Sequence, residues 1–534
     1  MTKNLGCIII GGGHNALVCA AYLAKGGKNV TVLEKRKILG GCSSTEELWP
    51  GFNVSVASYV ISLFQPQIIK DLELKENGLK ILPRNPSSFT PDLDGPGLVL
   101  GSDLERNYRE ISQYNEKDAE NYPRYEKHLE NIVDKIEPLF SEIPPNIFPS
   151  SGKQSFLEKI PELIKAYSIS MEVNSLGDNF HDFLELMIGA ATPILERWFK
   201  SDILRSTLAT DAIIGSFNSP SQNGSAYVLL HHVMGETGGA RGVWGYVQGG
   251  MGGLANALEK TCNNLDVDIK NNIEVKEIKI NPQGKVVGVD TNNGAFEADV
   301  VVSTVDANLT FKHFVGYDNL PQEFVNEVDK IDYSSASMKI NLALDKLPNF
   351  KTEKRNYDFL TGTIHIPSSM RKIEEAFDDA KYGHPSNYPI LEMTIPTTVD
   401  NTIAPEGKHI MGIFVQYFPY KLHTMYNGIE DLKENFADKC MDIIEDHAPG
   451  FKDSILHRQV LSPLDLEKKY GLTGGNIFQG SMDLSNIGPF RPVIGWNYKT
   501  PIKGLYIGGA SAPPGGGVMG TPGKNAAEII LRDN

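Results

Sequence analysis

The chain has 534 residues, 41% of them hydrophobic and 22% charged, and carries a net charge of −15. That length is too great for one core and suits two or three domains, and an acidic chain without a basic run is no nucleic-acid binder. Its 5 cysteines, Cys7, Cys19, Cys42, Cys262 and Cys440, form no Cys-x-x-Cys pair and no Cys/His cluster of zinc spacing, which argues against dithiol redox chemistry and a metal site and suits a reducing compartment.

Residues 5–34 read as strand, glycine turn, helix and strand. Cys7 to Ile10 is a short, wholly apolar strand of the kind found in parallel sheets. Gly11, Gly12 and Gly13 break it. A helix is predicted over Ala16–Lys25, stopped by Gly26 and Gly27, before a second strand from Val30 to Leu33. Residues 103–180 are polar with helical periodicity. The apolar stretch from Phe183 to Phe199 reads as a buried core helix kinked or ended by Pro193, with a membrane-dipping entry helix as the alternative. A helix follows at Leu254–Cys262. Short strands alternate with turns from Val267 to Val302, two of the turns being Asn281–Gly284 and Asn292–Gly294. Lys339–Leu344 and Ile410–Phe418 are predicted strands of a second sheet, and Leu432–Ala448 a helix. A last buried strand, Gly504–Ile507, precedes a glycine-rich turn and a closing helix.

The strongest motif is Gly11-x-Gly13-x-x-Ala16, placed between a strand and a helix. Gly11 permits the tight turn, Gly13 lets a pyrophosphate approach the backbone, and Ala16 is small enough for close helix–strand packing. The helix N-terminus offers free N–H groups to phosphate. Glu34, at the end of the second strand, is placed to accept from ribose hydroxyls. Four residues later come Leu39, Gly40 and Gly41.

This extended pattern resembles the fingerprint of the GG-type flavoproteins, which include amine oxidases and carotenoid desaturases. The segments GGGHNALVCAAYLAKGGKNVTVLEKRKILGG and GLYIGGASAPPGGGVMGTPGKNAAEIIL, at the two ends of the chain, resemble the phytoene desaturase-like branch in particular. The resemblance implies an α/β fold: a Rossmann-type FAD-binding domain interleaved with an α+β substrate domain. The FAD-binding parts are expected at 1–85, 241–310 and 486–534, and the substrate parts, the first with a helical insertion, at 86–240 and 311–485. FAD contacts are expected at Gly11, Gly13, His14, Asn15, Ala16, Glu34, Lys35, Gly40 and Gly41. Further contacts are implied at Cys42, Ser43 and Val275, and at Gly508, Gly509, Gly517, Val518, Met519 and Gly520. The chain departs from the family pattern at Cys42, where many relatives have Arg, and at Pro513-Pro514, where desaturases often have His-Pro.

Flavin carries the redox chemistry, while the protein orients the substrate and excludes water. The expected activity is that of an FAD-dependent desaturase or dehydrogenase acting on an apolar isoprenoid- or lipid-like substrate, in the manner of carotenoid biosynthesis. Alternatives are an amine oxidase, a flavin-dependent isomerase and an FAD-binding scaffold without turnover. His232 and Glu236 are the candidates for proton transfer, and Arg241, Trp244 and Tyr246 for the cavity wall. The electron acceptor is left open among oxygen, quinone and nicotinamide. No stretch reaches the about 18 apolar residues of a spanning helix, and no signal peptide is visible, so a cytoplasmic protein is expected, with peripheral membrane contact possible.

Overall fold

The apolar run Cys7–Ile10 becomes the central strand of a five-stranded parallel sheet, in the order Asp268–Asn271, Val30–Glu34, Cys7–Ile10, Val300–Ser303 and Leu505–Ile507. The computed structural model describes residues 6–146, 156–237, 240–352, 357–366, 369–426 and 428–533. Cys7 to Ile10 pair in register with Val30 to Leu33 on one side and Val300 to Ser303 on the other. A parallel strand buried on both faces needs apolar residues throughout, and these three are buried almost without exception.

The helix His14–Lys25 packs against the helices Gly252–Asn264 and Thr521–Asp533. It begins at His14 rather than the predicted Ala16, because Gly13 takes the cap position in extended backbone. A Cβ on Gly523 would stand 2.0 Å from the Asn15 carbonyl oxygen, so the first and last helices meet backbone to backbone there. Strands of this one sheet thus come from the start, middle and end of the chain. Beside it lies a three-stranded antiparallel sheet, Val275–Ile280, Val286–Thr291 and Gly294–Glu297.

The second large sheet has seven strands, in the order Ile455–Leu461, Ser337–Leu344, His409–Gln416, Ile390–Thr394, Thr363–Ile366, Ser88–Thr90 and Leu98–Leu100. Neighbours are antiparallel except Thr363–Ile366 with Ser88–Thr90. One register row crosses four strands: Lys339 stands opposite Phe414, Phe414 opposite Glu392, and Glu392 opposite His365. The helix Glu430–His447 shares this sheet's core through Phe436, Cys440 and Ile444. A separate helical core, from Ile111 to Met234, adjoins it through Phe377 and Tyr417.

The stretch predicted as one apolar helix is two, Phe180–Ile188 and Ala191–Trp198. Gly189 ends the first. Pro193 lies in the first turn of the second, where its missing N–H has no helical partner to lose. Phe183, Leu186, Ile194, Leu195 and Phe199 are buried while Leu184 and Ile188 are exposed, so these helices bury one face. Among the described residues no helix is long and apolar enough to cross a membrane.

Candidate active site

The two large sheets enclose one continuous cavity of about 1070 Å³. One end is built almost wholly from main chain. Gly11, with φ +97°, turns the chain after the first strand. A Cβ on Gly13 would meet nothing within 4 Å, so this position opens directly on the cavity. The helix behind it has no side-chain cap, which leaves its first N–H groups for a ligand. Asn15 is buried there with Oδ1 unpartnered. Gly40 donates its N–H to the Gly12 carbonyl at 2.8 Å, locking the Gly-Gly pair onto the glycine turn. Glu34 is buried and accepts from the Gly12 N–H at 2.6 Å and the Arg36 N–H at 2.7 Å. These bonds hold its carboxylate at the rim.

Of the residues expected to meet a dinucleotide, Gly11, Gly13, His14, Asn15, Ala16, Glu34, Lys35, Gly40, Gly41, Cys42, Val275, Gly517 and Val518 all line this cavity. Ser43 is buried behind it, with Oγ 3.3 Å from His14 Nδ1. Gly508, Gly509, Met519 and Gly520 are not in the wall. Their constraint is packing: a Cβ on Gly509 would stand 2.2 Å from the Thr304 carbonyl oxygen, and one on Gly520 2.9 Å from Ile68 Cδ1. Burial lowers His14 to about 4, so its ring is neutral, and raises Cys42 to about 11, so it is a thiol and no nucleophile. An open glycine, uncapped helix N–H groups, an orphaned Asn15 oxygen and a fixed carboxylate fit a flavin dinucleotide.

The other end is built from side chains. Lys339, Phe414, Glu392 and His365, the row across the second sheet, all face the cavity. The Tyr59 hydroxyl donates to Glu392 Oε1, and Lys339 Nζ lies 4.0 Å above the Tyr59 ring with no hydrogen-bond partner. Gly412, on the next strand, leaves room for this ammonium, since a Cβ there would stand 2.7 Å from Nζ. Burial lowers Lys339 to about 7, partly offset by Glu392, and raises Glu392. Arg84 is buried and donates Nε–H to the Trp244 carbonyl at 2.9 Å and Nη1–H to Thr363 Oγ1 at 2.5 Å. Asp211 lines the same end, and burial raises its carboxyl to about 7 against the pull of Arg84.

His232 is buried in the wall and donates Nδ1–H to the Val228 carbonyl at 2.8 Å. Burial lowers its pKa, so it stands neutral. Glu236 is exposed on a short hairpin outside the cavity. The carboxylate that faces His232 electrostatically is Glu392, from a strand more than a hundred residues away. Trp244 lines the cavity, its ring 5.7 Å from that of His232. Tyr246 is buried behind the wall with its hydroxyl donating to the Thr361 carbonyl at 3.3 Å. The side chain of Arg241 lies outside the described residues.

Arg84, Asp211, Lys339, His365 and Glu392 escape a reading by motif. Two carried a signal nonetheless: Lys339 in SMKINLAL and Glu392 in ILEMT are charges inside otherwise apolar, buried strands.

Comparison with known proteins agrees with this geometry. The family described as "Flavin containing amine oxidoreductase" matches residues 17–403. The rat protein "Pyridine nucleotide-disulfide oxidoreductase domain-containing protein 2" is 41% identical over 98% of this chain and 93% of its own length. A limonene dehydrogenase polypeptide from Castellaniella defragrans is 26% identical over 99% of this chain and 95% of its own. A solved putrescine oxidase shares the fold with a TM-score of 0.59 at 15% identity, covering 99% of this chain and 98% of that one. The chain therefore belongs to the flavin-containing amine oxidoreductases.

Proposed function

We propose that the protein is an FAD-dependent dehydrogenase or desaturase that takes hydride from a largely apolar, isoprenoid- or lipid-like substrate. The carrying observation is the single continuous cavity, whose wall holds the glycine cradle, the side chains of Leu63, Leu208, Leu229, Tyr122 and Trp244, and the polar row on the second sheet. A relative whose name gives limonene, a hydrocarbon, as what it dehydrogenates supports the same reading. Bound flavin supplies the hydride acceptor. The chain's own residues wall off water and offer acceptors for the proton lost from the neighbouring carbon. Among these, Asp211 and Glu126, both raised by burial to about 7, are poised near neutrality. Oxygen, a quinone or a transient nicotinamide then takes the electrons. For a cytoplasmic enzyme with a lipid-soluble substrate, peripheral membrane contact has a candidate surface in the exposed side chains of Leu163, Ile164, Tyr167 and Met171.

Amine oxidation is the second reading, favoured by the carboxyl groups of Glu126, Asp211 and Glu392 in the wall. Against it, the face of Tyr59 that would receive a substrate ammonium is already covered by Lys339.

The purified protein is expected to show a flavin absorbance spectrum that bleaches anaerobically with phytoene-like polyenes. Bleaching by amines alone would transfer the reading to an oxidase. Flavin that no candidate bleaches would favour an isomerase or a scaffold, and failure to bind FAD on reconstitution would remove the reading.

A further inference from the structure

The wall of the cavity reaches solvent in two places. Among the described residues that line it, the exposed ones are Lys35, Glu274 and His313 in one group and Ser102, Leu104 and Lys127 in another. The rest of the described wall is buried or partly buried. The first group belongs to the parallel-sheet end. Lys35 follows Glu34, the Ile273 N–H next to Glu274 bonds to the Glu34 carbonyl at 2.9 Å, and the helical turn Leu309–Val315, with His313, packs on the strand Val275–Ile280. The second group lies where the chain leaves Leu98–Leu100, the edge strand of the seven-stranded sheet, for the packed helices Leu104–Ser112 and Glu116–Ser141.

This second mouth has one pinned lip. Asn107 is buried, donates Nδ2–H to the Gly101 carbonyl at 2.8 Å and accepts the Gly101 N–H at 2.9 Å. Asp103 caps the helix by accepting from the Glu105 and Arg106 N–H groups at 3.0 and 3.1 Å. The lip carries apolar surface, since Leu104 and, one turn on, Tyr108 are both exposed. On the neighbouring helix Lys127 pairs with Glu130 at 2.7 Å, an exposed contact that is easily parted. The same helix turns Tyr122, Tyr125, Glu126 and Leu129 to the cavity.

We propose that the apolar substrate enters and leaves through this second mouth, between Leu104 and Lys127, the first mouth being that of the dinucleotide. This rests on the reading of the cavity as the seat of FAD and an apolar substrate, and it assigns that substrate's portal. A residue at a portal acts on passage and not on the bound state, so a bulky side chain there slows entry and exit by the same factor.

The test is stopped-flow binding of diphenylhexatriene, an apolar polyene whose emission is quenched by energy transfer to flavin, to the FAD-loaded protein. Leu104→Trp and Lys127→Trp, both at exposed positions, are expected to lower the association and dissociation rates alike, by about fivefold or more, with Kd unchanged. Glu274→Trp, at the first mouth, is expected to leave both rates as they are. Rates unchanged in both Leu104→Trp and Lys127→Trp would overturn the proposal, and so would an equal slowing in Glu274→Trp. A weaker Kd with unaltered association would also overturn it, because that pattern marks a contact in the bound state. Each of these results leaves the polyene bound and defeats the portal alone. A loaded protein that binds no polyene would remove the reading of the cavity as an apolar seat, and the portal with it.

Discussion

The two ends of the cavity are made in opposite ways. At the parallel sheet the ligand-facing atoms are main-chain N–H groups, exposed because Gly13 has no side chain and the helix behind it no cap. At the seven-stranded sheet they are side chains, aligned because Lys339, Phe414, Glu392 and His365 share one register row. A backbone-built site is damaged by adding atoms. A site built on a row is damaged by removing or recharging them. Mutations at the two ends should therefore separate cofactor retention from the electrostatics of the substrate end.

The largest effect is expected at a buried support behind the cavity wall. Arg491 is fully buried, and its guanidinium donates to the carbonyls of Phe478, Ser481, Asn486 and Ala510, of which Phe478 and Ala510 belong to residues in the cavity wall. Arg491→Met leaves several buried carbonyls unpaired at about 1–3 kcal/mol each, so a loss of about 3 kcal/mol or more is expected, read by denaturant titration. Flavin should be released along with it. A variant of unchanged stability would mean that the C-terminal loop does not depend on this residue.

Next comes the cradle. Gly13→Val places branched carbons where nothing stands within 4 Å, and Gly13 has an ordinary φ of −73°. Stability without cofactor should change by no more than about 1 kcal/mol, while FAD affinity falls by about a hundredfold or more, measured by equilibrium dialysis. Full FAD retention would show that the phosphates pass elsewhere.

Lys339 sharpens the electrostatic side of the comparison. Burial lowers its ammonium from 10.5 to about 7. Between those values the unfolded chain holds a proton that the folded chain has released, so folded stability rises with pH across that window. The cost of burying the ammonium is fully present below about pH 7 and gone above about pH 10.5. Lys339→Met is expected to be more stable than the unaltered protein at about pH 6, on the order of 2 kcal/mol, and no more stable at about pH 10. A pH-independent difference would place the proton elsewhere.

The smallest effect is at Glu34. Its carboxylate accepts from two main-chain N–H groups. Glu34→Gln turns one acceptor into a donor facing an N–H, which should cost about 1–2 kcal/mol of stability by thermal melting and weaken FAD by about tenfold.

The contrast also explains what could be read in advance. The first strand, the glycine turn, the cap of the helix and Glu34 lie within one stretch of chain, where each residue's role follows from local backbone conformation. Strand Ser337–Leu344 and helix Glu430–His447 were likewise visible from apolar runs and helical periodicity, with ends displaced by at most two residues. The split at Gly189 was missed because apolar periodicity carries across a break that one glycine makes. Glu236 was a candidate for proton transfer beside His232 because it clusters with it in sequence. The strand Ile390–Thr394 puts Glu392 there instead, while Glu236 turns outward on a hairpin.

From its residues alone the chain determined that it has a dinucleotide-binding unit of flavin type, where that unit begins, and which glycines must stay bare, because those features depend on φ, on helix ends and on neighbours a few residues apart. Only the tertiary structure decided that Asp211, Lys339, His365 and Glu392 share one chamber, that Gly508 and Gly509 serve packing, and that Arg491 ties the closing loop. Those facts depend on register between strands distant in sequence and on burial, which raises the carboxyls and lowers the ammonium only once the sheets have closed around them.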